Sequence, residues 1–193
     1  LVESEDGGRA RLASRQLLRL VGSLTVSPQP VLMSMNCGFD NRELLPPFFP
    51  GLRNSDGLFA AVLRACRPEA LIGHLPLAGV HRPPEDRRFA DGDWRAFRPR
   101  LADLLITLVG SFRPCPVPSS AEVQIPALGR YLVELGSAPP ADFEALARRL
   151  WAAELSAYTL RLERLVAYYQ GQPDWWAGEV GEVIEEVARQ AAA

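Results

Sequence analysis

The chain contains no lysine, so all 21 of its basic residues are arginine. Against 23 acidic residues and two histidines they leave a net charge of -2. That balance argues against a general nucleic-acid binder, which carries a basic surplus to displace counterions from phosphates. Cysteine is scarce: Cys37, Cys66 and Cys115 are widely spaced and no CxxC pair exists. A zinc knuckle, a redox dithiol and a disulfide framework are therefore excluded as expectations. Buried free thiols in a reducing cytoplasm are expected instead. Long apolar runs are missing as well. The longest, Leu101 to Val109, is interrupted by Asp103 and is far too short to span a bilayer. The acidic start (Glu3, Glu5, Asp6) has the wrong charge for a signal peptide, so a cytoplasmic protein is expected. There is no glycine-rich phosphate loop, no G-x-S-x-G and no H-E-x-x-H. An initiator methionine is also lacking, because the sequence opens at Leu1.

What remains is ordinary globular material. Of 193 residues, 48% are hydrophobic and 23% charged, enough for one domain or a domain with a helical appendage. Leucines at 12, 17, 18 and 20 among arginines predict a short amphipathic helix from Arg9 to Val21. Pro30 to Gly38 is short, apolar and bounded by breakers, which predicts a strand. Three prolines in the five residues Pro46 to Pro50 forbid helix or central strand and predict a shaped loop with an apolar underside. Asn54, Ser55 and Asp56 are good caps, so a helix is predicted from about 56 until Pro68 ends it. A strand or strand pair is expected between Ala70 and Val80, around Leu75-Pro76.

Beyond residue 92 the pattern turns helical. Trp94, Phe97, Leu101, Leu104, Leu105, Leu108, Val109 and Phe112 recur at three- and four-residue steps, predicting one helix face. Pro114 to Pro118 is a stiff connector. Ser119 or Ser120 caps a helix to about Leu135. Phe143, Ala147, Leu150, Trp151, Leu155, Tyr158, Leu162, Leu165 and Tyr169 trace a helix of roughly seven turns. A turn over Gly171 to Trp176 and a last helix over Glu179 to Gln190 follow. The expected fold is mostly α (α+β): a loop-rich N-terminal part, 1–92, with a few short strands, then a helical domain, 93–193, with a bundle of three or four helices.

Polar residues gather in the N-terminal loops. Asp40, Asn41 and Arg42 precede the proline loop, Arg53, Asn54 and Asp56 follow it, and His74 and His81 come later. A carboxylate at a helix start, an arginine three residues before it and a downstream histidine suit a pocket that takes a proton from a hydroxyl or ligates a divalent ion. The plainer alternative is that Asp56 caps its helix and Asp40 caps a turn. Asp91-Gly-Asp93 spells DxD, but directly before Trp94 it reads as a helix cap. The stripe of Trp151, Tyr158 and Tyr169 reads as core rather than as a carbohydrate platform.

The segments Phe39 to Pro50, Arg53-Asn-Ser-Asp-Gly-Leu-Phe, His74-Leu-Pro and His81-Arg-Pro-Pro resemble the acceptor-side portion of bacterial GT-A type, family 2-like glycosyltransferases. The similarity spans residues 20 to 90 at most. It implies that Asp56 is the catalytic base and that His81 helps to hold a divalent metal, Mg or Mn, in the intact enzyme. Asp40, Asn41, Arg42 and Arg53 would then shape the substrate pocket. Ser55 stands where the family carries the first acid of a Glu-Asp pair, and Asp91-Gly-Asp93 follows the histidine, the reverse of the family's order. The family's strand-rich nucleotide half has no counterpart here. The resemblance thus implies the C-terminal segment of a sugar-nucleotide-dependent glycosyltransferase, incomplete by itself. Its partners would be a sugar nucleotide and a hydroxyl acceptor, bound through the missing N-terminal half. The competing expectation is a non-enzymatic helical interaction or oligomerisation module, with a homo-oligomer formed through the helical tail.

Overall fold

The structure, a computed structural model, describes residues 6, 7, 10, 21–32, 37–51, 53–77, 100–114, 120–168 and 174–192. It is mostly helical with two short antiparallel strands, the expected class. The described residues fall into two compact units. One holds the described residues from Val21 to Leu77 and from Arg100 to Leu150, and the other holds Asp6, Gly7, Ala10 and the described residues from Trp151 onward.

In the first unit, strand β1 (Thr25–Ser27) pairs with β2 (Ile72–His74) in the register Thr25 to His74, Val26 to Gly73 and Ser27 to Ile72. The first strand thus lies ahead of the predicted stretch. The described residues between Pro30 and Gly38 are irregular, and 33–36 lie outside the description. Prolines 28 and 30 end β1 because neither can donate to a ladder. The Ser27 hydroxyl accepts the Gln29 N–H at 3.0 Å, and the Gln29 carbonyl accepts the Val31 N–H at 2.8 Å, closing a three-residue turn on Pro30. The predicted helix at 9–21 lies outside the description except Ala10, which is helical, and Val21, which is not.

Helix α1 (Ser55–Cys66) carries apolar residues at 58, 62, 65 and 66. Helix α2 (Leu101–Ser111) carries them at 102, 105, 106 and 109, and helix α3 (Ala121–Gly136) at 121, 125, 128 and 132. These steps put each set on one stripe, and the three stripes close around Leu58, Cys66, Val109, Phe112 and Leu128. A fully buried side chain of this kind contributes about 1.5–3 kcal/mol. The Ser111 and Tyr131 hydroxyls meet at 2.7 Å at the edge of this core.

The stripe from Trp94 to Phe112 is not one helix. Arg100 is extended (φ -115°, ψ 156°) and α2 starts after it. Pro99 has no N–H and disfavours helical backbone just before it, so a start beyond it is favoured. The Arg100 N–H donates to the Asp103 carboxylate at 3.0 Å. Only this half of a capping box forms, since a guanidinium has no acceptor. In α3, Pro126 is exposed, so water can satisfy the backbone carbonyl that its missing N–H leaves over.

Helix α4 (Pro140–Tyr168) opens on proline at its first position, where no N–H is needed. In the second unit its residues Trp151, Leu155, Tyr158 and Leu162 form one stripe. They pack with Val183 and Val187 of helix α5 (Asp174–Ala192), and Leu155 and Val187 are fully buried. Trp151 and Tyr158 therefore belong to the core, while Tyr169 lies outside the description. Trp175 and Trp176 are helical rather than in a turn, because α5 already begins at Asp174, an acid that suits a helix N-terminus.

Truncating Leu128, at the centre of the first core, should cost about 2–5 kcal/mol, and Val133→Ala on the exposed side of the same helix less than about 0.5 kcal/mol. Urea denaturation of both variants measures this. Equal midpoints would contradict the core assignment.

Candidate functional site

Asp56 sits in the first turn of α1, half-buried. Its neighbour Asn54 adopts a left-handed conformation (φ 69°), which asparagine tolerates better than most residues. The Asn54 carbonyl accepts the Leu58 N–H at 3.0 Å, and an oxygen of Asp56 accepts the Gly57 N–H at 3.0 Å. The Asn54 amide folds over Gly57. A Cβ at 57 would meet the Asn54 side-chain amide, so a larger residue there would displace that side chain. Asp56 is thus held as an acid of the helix start, its side chain satisfying a backbone donor that the helix cannot.

The proline loop reaches the same helix through aromatic contacts. Phe48 stacks on Phe59 of α1 at 4.2 Å between ring centres, and Phe39 meets Phe59 edge-on at 5.2 Å. Phe59 is fully buried and Pro46 is buried beside this underside, while Phe39, Phe48 and Phe49 stay partly open to solvent. The segments bearing Asp40–Arg42 and Asp56 are therefore fastened to one another, as a shared pocket requires.

The charges in that loop are spent locally. Arg42 donates from Nε to both Asp40 oxygens, at 2.9 and 3.0 Å, and from its backbone N–H at 3.1 Å. Asp40 thus caps a turn. The Arg42 side-chain hydrogen bonds hold its carboxyl down at about 2, well below the usual carboxylate range. Asn41 and Arg53 are exposed. His74 pairs with Thr25 in the ribbon, and His81 lies outside the described residues, as do Asp91 and Asp93.

Arg67, which follows α1, is a residue that the sequence reading did not single out. Its guanidinium binds Glu43 of the loop and Glu69, which raises its own pKa and lowers that of Glu69. Its charge also favours the ionised forms of Asp40 and Glu122. The Glu122 carboxyl is lowered mainly by the Ser120 hydroxyl. The available signal was the Arg67-Pro68-Glu69 spacing, which lets both side chains leave the chain on one side. Cys66 beside it is buried, and burial pushes its thiol up to about 11. It is a core residue, not a nucleophile.

The ribbon shows a second feature. Val26 shares a face of the ribbon with Gly73, and Leu24, Leu71 and Leu75 flank the strand ends; all four apolar side chains are exposed, at 59, 66, 65 and 62%. Leu77 follows, at 77%. Ser27, Ile72 and His74 on the other face are half-buried. The ribbon is therefore turned with its leucines outward.

Among the described residues no three histidine, cysteine or acidic side chains converge to hold a metal, and no helix is long and apolar enough to cross a membrane. No family model, curated protein or solved structure matches the chain.

The Asp40 carboxyl should titrate near pH 2 in the folded protein, and Arg42→Ala should return it towards the ordinary value of 3.8. Its contribution to stability is complete above the unfolded-state value and is lost as pH falls from there through about 2. Carboxyl-carbon NMR reads the value directly. A titration unmoved by Arg42→Ala would contradict the pairing.

Proposed function

We propose that the chain is a non-enzymatic interaction module that docks through the outward apolar face of its ribbon. The observation that carries this reading is the group of exposed apolar side chains in and beside β1 and β2, namely Leu24, Val26, Leu71, Leu75 and Leu77. Soluble monomers scatter single exposed leucines, but a contiguous exposed apolar patch marks a contact surface. The two apolar stripes of the helical part do not serve equally well. Leu108, Val109 and Phe112 are used in one core, and Trp151, Leu155, Tyr158 and Leu162 in the other. Leu165 of the second stripe remains exposed, as do its neighbours Leu160 and Tyr168.

A photoreactive benzoylphenylalanine in place of Leu75 tests the proposal. It should give covalent adducts with a polypeptide chain other than its own at several times the yield of the same probe at Arg148, an exposed position on α4. Equal yields would overturn it.

The contact between Phe39, Phe48 and Phe59 favours a second reading, the acceptor side of a glycosyltransferase. It supports that reading by fastening the Asp40–Arg42 loop to the helix that begins with Asp56. In this role Asp56 would accept the proton of an acceptor hydroxyl. The described residues offer no donor set for the divalent ion such an enzyme uses. Saturation-transfer NMR with a panel of oligosaccharide acceptors should then show binding that Asp56→Asn abolishes at an unchanged melting temperature. No binding by the unmodified chain would end this reading.

A further inference from the structure

We draw no further inference here: the strongest candidate, the exposed apolar patch in and beside β1 and β2, already carries the docking proposal above, and nothing in the structure shows what covers it.

Discussion

The ribbon-bearing unit depends on the burial of one short helix from several sides at once. Leu58 and Cys66 of α1 close the core with α2 and α3, and Phe59 receives the rings of the proline loop. Arg67, just past its end, ties the loop again through Glu43. A loop with prolines at 46, 47 and 50 lacks three backbone donors and has no ladder of its own. It takes its shape from what α1 offers it. Each contact is modest, but the packing term dominates: ring contacts bring about 0.5–1.5 kcal/mol beyond their burial, and exposed ion pairs about 0–1 kcal/mol.

The same comparison places the reactive surface. The charges that looked available for chemistry are engaged close by, Asp40 with Arg42 and Asp56 with the Gly57 N–H, while Arg67 pairs with its neighbour Glu69 and, 24 positions back in the chain, with Glu43. Local pairing of this sort orders a loop without a ligand. The leucine face of the ribbon is in the opposite state. Its apolar area is exposed to water and contributes nothing to the core it adjoins, and association is the general way to remove such area from water.

Much of the helical part was legible because its signals are local. The periodicity of α4 and the cap before α3 are visible in a window of a few residues. Pro68 is likewise a local stop for α1, and the Arg64 guanidinium completes that end by donating to the Pro68 carbonyl. The misplacements also have local causes that a stripe of apolar residues hides. Pro99 favours a start of α2 beyond it, and Asp174 opens α5 early enough to take in both tryptophans. Strands three residues long carry too little pattern to be placed, so Thr25–Ser27 was missed and Pro30–Gly38 drew the prediction. In the candidate site, Asp56 at a helix start and Asp40 in a turn were legible as caps. The role of Arg67 was not, because Glu43 is 24 positions away from it in the chain.

Sequence alone determined that this chain is mostly helical, which residues form the buried stripe of α4, and that residues 46–50 form a loop. All of these follow from backbone chemistry within one or two turns. Only the tertiary structure decided which surfaces are inside. Leu24, Val26, Leu71 and Leu75 lie in or beside the two strands, and a rule of burying apolar side chains would turn them inward. The structure turns them out, with Ile72 and His74 half-buried instead. Three-residue strands bury too little to set their own orientation, so their register and their neighbours decide it.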